Sequence, residues 1–298
     1  MRVPHVIPYQ GSKRSLTDRI LAKIRFNVEG RLYEPFAGSA ALTLAAANDR
    51  ISDTFIVGDK YPPLMKLWEL IIEDPNQVCQ KYREIWINQL ENPKKYYLQI
   101  RDEFNLDGDP VKFLYLIARC VKNSIRFNAL GEFNQSPDNR RLGRKPAKMA
   151  AEIQLASVLL KGKVVLRTGD FMEVLHDATA EDIVYLDPPW QGTSNNRDPR
   201  YAHLLDFDFL VESLHELNSR NIPFLLSFDG SCGGKEYGNA LPKSLELRKI
   251  SLNAGRSSQA TLLGRDEKTI ESLYLSPMLV KKNEAYQPKA YQQLSMFH

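Results

Sequence analysis

The sequence runs to 298 residues, 43% hydrophobic with a formal net charge of +4, enough to enclose the core of one large α/β domain carrying a smaller insert or appendage. No apolar run approaches the roughly 18 residues of a membrane span, and the opening MRVPHVIPYQGSK lacks the apolar stretch of a secretion signal, so the expectation is a cytoplasmic chain. Three scattered cysteines, Cys79, Cys120 and Cys232, and five histidines have no ligand or framework spacing, which argues against a disulfide-built domain and a metal centre.

In chain order, RLYEPFAG (31–38) reads as a short strand entering a glycine turn, and SAALTLAAAN then has helical composition with Ser39 as the expected N-cap. TFIVGDK (54–60) is a second apolar strand ending in an acid, and two strands joined by a helix open a parallel sheet of crossover units. Over residues 62–121 helix prevails, with Leu114, Ile117, Ala118 and Val121 at helical spacing. RFNALGEFNQSPDNRRLGR (126–144) places aromatics among turn formers and fits a basic hairpin or loop. The sheet resumes with KVVLRTGDF (163–171) and DIVYLDPPW (182–190). Phe207, Leu210, Val211, Leu214 and Leu217 mark one face of a helix, IPFLLSFDG (222–230) is another buried strand, and ESLYLS (271–276) closes the sheet. The expected architecture is an open α/β sheet from residues 1–60 and 151–280, interrupted by a helical, basic insert at 61–150 and followed by a polar tail at 281–298.

The charge is unevenly placed. Between positions 119 and 148 stand Arg119, Lys122, Arg126, Arg140, Arg141, Arg144, Lys145 and Lys148 against Glu132 and Asp138. That local excess of six suits a polyanion partner, although a solvated charged face would explain any one of them equally well.

Open α/β sheets bind ligands beyond the carboxyl ends of their strands, and three strands end there in EPFAG, GDK and DPPW. Asp187 and Pro188 both precede a proline and are biased to extended backbone, while Pro188 and Pro189 contribute no N–H. The segment therefore presents acceptors only. The Asp187 carboxylate and the Pro188 carbonyl suit the two hydrogens of an amino group, and Trp190 offers a flat face for stacking. An exocyclic base amine is a poor nucleophile because its lone pair is conjugated with the ring, and two acceptors on its hydrogens favour the pyramidal form that attacks. Alone, such a motif often does no more than end a strand.

It is not alone. DPPW after four apolar residues resembles the catalytic signature of amino-methyltransferases that use S-adenosylmethionine, YEPFAGSAALTL resembles their cofactor loop, and PYQGSK (8–13) resembles the N-terminal element that completes the pocket. The order of these motifs, with TGDF before DPPW, resembles the Dam-like, D12 class of adenine-N6-specific DNA methyltransferases over most of the chain, to about residue 276. RFNALGEFN resembles that family's DNA-contacting hairpin, and RDPRY (197–201) the loop after its catalytic motif. The resemblance implies a Rossmann-like, S-adenosylmethionine-dependent methyltransferase sheet with an inserted helical DNA-recognition domain. It implies a cofactor site at Tyr9, Lys13, Glu34, Pro35, Phe36, Gly38, Ser39, Asp59, Asp170, Phe171 and Asp187. In that site Tyr9 packs on the cofactor and Lys13 approaches its carboxylate, Asp59 takes the ribose hydroxyls, Asp170 accepts from the adenine amine and Phe171 lies against the ring. Asp187, Pro188, Pro189 and Trp190 are the implied catalytic set.

An amine inside a duplex cannot reach such a pocket, so the base must be extruded, at about a few kcal/mol. Lys122, Arg126, Arg140, Arg141, Arg144 and Lys145 are candidate phosphate contacts, and Asn128, Asn134 and Gln135 have the amide geometry to read base edges. NQSPDNRR departs from the Pro-aromatic-Gly continuation commoner in the family, so a GATC target is not assumed. Transfer to RNA adenine or to cytosine N4, and a catalytically silent DNA-binding regulator, are the alternative readings. In the tail, Gln293, Leu294, Met296 and Phe297 resemble the peptide by which bacterial proteins dock on the replicative sliding clamp; a tail folded back on the domain is the equal alternative. The expected protein is a nucleoid-associated cytoplasmic monomer acting on double-stranded DNA.

Overall fold

Successive side chains of a strand point to opposite faces, and the central strands distribute their apolar residues accordingly. On β1 (Leu32–Glu34), β2 (Phe55–Asp59) and β4 (Ile183–Leu186), residues Leu32, Phe55, Val57, Ile183 and Tyr185 belong to one buried cluster and Tyr33, Ile56, Val184 and Leu186 to the other. The result is a three-layer α/β arrangement, seen here in a computed structural model that describes residues 2–189, 205–232, 235–237, 239–256 and 268–286.

The sheet order is β3-β2-β1-β4-β5-β8-β7, with β6 (Lys235–Tyr237) paired to β5. β3 (Val164–Thr168), β2, β1, β4 and β5 (Phe224–Cys232) run parallel, whereas β8 (Lys268–Leu275) is antiparallel to both β5 and β7 (Arg248–Arg256). The order reverses between β1 and β4, so the switch-point crevice opens beyond the carboxyl ends of those two strands, where EPFAG and DPPW stand. ESLYLS is an inner strand, and β7 is the edge beyond it. The period-two alternation of Ile250, Leu252 and Ala254 marked β7 in the sequence.

One face of the sheet carries α8 (Phe171–Val174) and α9 (Phe207–Ser219); the other carries α1 (Thr17–Leu21), α2 (Ala41–Asp49) and α7 (Pro146–Leu160). The span between β2 and β3 also holds α3 (Pro62–Glu73), α4 (Pro75–Asn88), α5 (Pro93–Asp107) and α6 (Pro110–Arg119). Each of these four, like α7, begins with proline in its first turn, where a missing N–H removes nothing and the fixed φ is already helical. Asp74, Asn92 and Asp109 cap α4, α5 and α6 by accepting from backbone N–H groups. Val121, expected on the last helical face, instead lies past α6 in a 3-10 turn, Val121–Asn123. A single buried cluster runs from the sheet through α3 to α6 and α7, so the helical span shares its core with the sheet. Among the described residues no helix is long and apolar enough to cross a membrane.

Candidate active site

β1 ends in Glu34, which is buried yet fully occupied. Its carboxylate accepts from the N–H of Thr43 at 2.8 Å, the Thr43 hydroxyl at 2.6 Å and the N–H of Leu42 at 3.4 Å. Those N–H groups lie in the first turn of α2, which has no side-chain cap of its own, so Glu34 replaces Ser39 as the acceptor for the helix start. Burial pushes the Glu34 carboxyl up to about 7. The Ser39 hydroxyl pairs with that of Ser12 at 2.7 Å, tying the turn to the N-terminal element.

Between Glu34 and α2 the backbone turns through left-handed conformations at Gly38 (φ 46°) and Ala40 (φ 45°). Gly38 is held from both sides: its N–H donates to Asp59 Oδ2 at 3.1 Å, and its carbonyl accepts from Trp68 Nε1 at 3.1 Å. A Cβ at Gly38 would stand 3.4 Å from the Tyr9 ring, so Tyr9 packs directly on the turn. Asp59 also accepts from the N–H of Tyr61 at 3.0 Å. Burial raises its carboxyl, opposed by these amide bonds, and Asp59 therefore fastens the turn after β1 to the turn after β2. Pro35 is buried and Phe36 half-buried beside it.

At the end of β3, Asp170 caps α8. Its Oδ1 accepts from Met172 N at 3.1 Å, and its own N–H donates to Glu173 Oε2 at 2.9 Å, a reciprocal capping box. Phe171 is only 2% exposed, stacked on Phe36 at 5.1 Å and edge-on to Phe209 at 5.5 Å. The accessible ring at this position is thus Phe36 rather than Phe171.

At the end of β4, Asp187 Oδ1 lies 2.8 Å from Lys13 Nζ, and the same ammonium lies 3.6 Å from Glu271 Oε2. It also donates to the carbonyl of Gly11 at 3.3 Å. Burial alone would lower the Lys13 pKa, but Asp187 and Glu271 outweigh it and the value is raised. The Asp187 carboxyl is raised by burial against the opposing pull of Lys13. Below it the Tyr185 hydroxyl shares a 2.9 Å bond with that of Ser227. Lys13, expected near a cofactor carboxylate, is here an ion-pair partner of the acid at the centre of the site. Glu271 was not anticipated; its signal was a lone carboxylate in the apolar run TIESLYL. Pro188 is buried and Pro189 half-buried, while Trp190 and residues 197–201 lie outside the described residues. Among the described residues no cluster of His, Cys, Asp or Glu has the form of a metal site.

A glycine turn, an acid at the end of β2 and an acid followed by two prolines at the end of β4 thus converge on one crevice. A family model described as D12 class N6 adenine-specific DNA methyltransferase matches residues 9–262. The chain belongs to this family. It is 27% identical over 268 residues to the retron Ec67 DNA adenine methylase of Escherichia coli, covering 86% of this chain and 88% of that one. It is 27% identical over 252 residues to the type II methyltransferase M.MjaIII of Methanocaldococcus jannaschii, with 76% and 84% covered. Against the type II methyltransferase M1.LlaDCHI of Lactococcus lactis it is 23% identical over 281 residues, with 89% and 94% covered. The protein is an enzyme that methylates adenine N6 in DNA.

In this D12 methyltransferase the basic segment divides into surface and interior. Residues 126–134 form a narrow hairpin in which Asn134 N donates to Arg126 O at 2.8 Å, Asn128 N donates to Glu132 O at 2.9 Å, and Phe127 bridges Phe133. Phe133 is buried against Phe104 and Phe113, which anchors the base of the hairpin. Lys122, Asn134, Arg140, Arg141 and Lys145 are exposed. Arg126 is half-buried, and its Nε has no hydrogen-bond partner among the described residues. Arg140 and Arg141 both engage Asp138 and hold its carboxyl well below the usual carboxylate range.

Of the residues read as DNA-facing, Gln135 and Arg144 are committed inward and Asn128 to its own hairpin. Gln135 is buried, its amide donating to Val121 O and Ser124 Oγ. Asn128 accepts from Leu130 N at 2.9 Å and Glu132 N at 3.0 Å and donates to Glu132 Oε2 at 2.7 Å, so its amide builds the hairpin tip. Arg144 is half-buried and donates to the carbonyl of His5. Arg119, counted in the basic patch, is a core residue donating to Gln89 Oε1 and the Asp138 carbonyl. Gln135, Arg144 and Arg119 share one reason: each lies where separate chain segments meet, and buried backbone carbonyls and side-chain amides there need partners, whereas Asn128 closes a local turn with partners two and four residues on.

Proposed function

We propose that Asp187 and the carbonyl of Pro188 receive the two amine hydrogens of an adenine swung out of double-stranded DNA, with S-adenosylmethionine as the methyl donor. The observation that carries this reading is a half-buried carboxylate at the switch-point edge, one strand away from the left-handed Gly38 turn. S-adenosylmethionine, when bound, supplies an electrophilic methyl on a sulfonium. The residues suit such a molecule: Gly38 lets backbone approach closely, Tyr9 and Phe36 offer apolar faces, and Asp59 stands at the end of β2 with acceptor lone pairs besides those taken by backbone N–H groups. Asp187 and Pro188 orient the amine so that its lone pair faces the donor. Once the methyl is on nitrogen, the displaced proton leaves through the Asp187 carboxylate, whose burial favours the protonated form.

Extrusion of the base requires a firm hold on the duplex. The exposed Lys122, Arg140, Arg141 and Lys145 supply phosphate contacts. Arg126, with its Nε unpartnered among the described residues, and Asn134 are the base-reading candidates on the hairpin. Trp190 is assigned the stacking face for the extruded adenine on its sequence position alone. The enzyme is proposed to act as a monomer. Its tail, with Gln293, Leu294, Met296 and Phe297 outside the described residues, is proposed as a sliding-clamp peptide; deletion of residues 292–298 that left clamp binding intact would contradict this.

The test of the whole reading is expression in a host lacking adenine methylation, followed by direct sequencing of modified bases and by transfer of labelled methyl from S-adenosylmethionine to DNA in vitro. N6-methyladenine in one short sequence context is expected. Unlabelled DNA, or label on RNA or cytosine only, would contradict it.

A further inference from the structure

Three charged groups from three separate elements meet at the crevice, and the reaction as described uses only one of them. Side chains alternate along strands, and this fixes which groups can meet. Positions 183, 185 and 187 continue one face of β4, since Ile183 and Tyr185 lie in the same buried cluster. Positions 271, 273 and 275 continue that same face of β8, since Leu273 and Leu275 belong to it as well. The neighbouring Tyr274 faces the opposite way, donating to Asp229 on β5. A register shift in β5 between Ser227 and Gly230, with Asp229 at φ 55°, precedes the pairing of Gly230 with Glu271. Such bulges re-aim the side chains beside them.

Lys13 stands between the two carboxylates, 2.8 Å from Asp187 and 3.6 Å from Glu271. At 3.6 Å the buried Glu271 Oε2 has an ion-pair partner in Lys13 but no hydrogen bond among the described residues, a poorly satisfied state for a carboxylate oxygen. A displacement of Nζ by less than about 1 Å would bring it to the length of a charge-assisted bond, about 2.8 Å. The flexible lysine stem permits that movement, and its three ammonium hydrogens permit the exchange of partners.

We propose that Glu271 is a positioning residue that draws the Lys13 ammonium away from Asp187 as the adenine amine arrives, so that the Asp187 carboxylate is released to accept from the amine. The proposal rests on the reading of Asp187 given above. With Lys13 on Asp187, one carboxylate oxygen is occupied and its charge is offset, which weakens it as an acceptor. With Lys13 on Glu271, the ammonium remains compensated and the acceptor recovers its full charge. Among the described residues, the other ionisable groups facing this cluster are Tyr185, hydrogen-bonded to Ser227, and Glu34, committed to the start of α2.

The test is a kcat and KM comparison of Glu271→Gln and Glu271→Asp with the parent on an adenine-containing duplex, with thermal unfolding recorded for each. Glu271→Gln is expected to lower kcat by about tenfold with KM for DNA and donor near the parent's. Glu271→Asp, which keeps the charge on a shorter arm, is expected to recover part of that loss. In a Lys13→Met background the Glu271→Gln change is expected to have little further effect, because the role runs through the ammonium. Parental kcat in Glu271→Gln, a loss shared equally by the aspartate variant, or additive losses with Lys13→Met would each overturn the proposal. Should Glu271→Gln be silent while Asp187→Asn is inactive, only the role of Glu271 falls; should Asp187→Asn be silent, the reading of Asp187 falls first.

Discussion

Replacing Glu34 tests whether this residue, which by resemblance would touch the cofactor, works instead by holding the loop that does. Glu34→Ala strips the N–H groups of Leu42 and Thr43 of their acceptor inside the core. Two buried donors left unpaired at about 1–3 kcal/mol each, partly relieved by no longer burying a carboxyl, predict a loss of roughly 2–4 kcal/mol. A second arm uses pH. Burial holds the folded carboxyl at about 7 against the ordinary 4.5, so over that window the native state binds the proton more tightly than the unfolded chain does. Stability contributed by protonating Glu34 is therefore complete below pH 4.5 and is lost as pH rises to 7, by up to about 3 kcal/mol. Glu34→Gln is nearly isosteric and cannot ionise, so it removes this dependence. Urea unfolding of parent and variants from pH 4.5 to 7.5 measures both arms. A loss below about 0.5 kcal/mol in Glu34→Ala, or a parent-minus-glutamine difference flat across the window, would refute the reasoning.

Other consequences are as direct. A Cβ at Gly58 would stand 2.5 Å from Val174 Cγ2 and 2.7 Å from Cγ1, so Gly58→Ala should cost about 1–3 kcal/mol in urea unfolding; a neutral variant would mean that α8 does not pack on β2 as described. Lys145→Ala should weaken binding at every DNA sequence and lower the salt slope by about one, whereas an unchanged slope would place Lys145 off the phosphates. Arg144→Met, by contrast, removes a donor to His5 rather than a phosphate contact, and should lower stability by about 1 kcal/mol or more with the slope unchanged; a slope reduced by one would return Arg144 to the DNA face.

What could be read from sequence was whatever repeats locally. The apolar runs of β1, β2, β4 and β5 and the acid-bearing motifs at their carboxyl ends placed the crevice before any coordinates, because strand periodicity and the proline restrictions act over a few residues. The misreadings share the opposite property. Ser39 looked like a helix cap, but the acceptor comes from Glu34, five residues earlier on a strand. Gln135 and Arg119 looked like surface groups, yet their partners lie in loops brought close only by folding. Glu271 escaped attention because its meaning depends on Lys13, 258 positions away across the sheet.

Single-turnover methyl transfer by Asp187→Asn, with DNA binding measured on the same preparation, addresses the grip on the amine most directly. The substitution keeps size and shape but turns one acceptor oxygen into a donor. The account predicts a rate lower by on the order of 10²–10³-fold, with affinity for the target duplex retained. Transfer at the parental rate would contradict it.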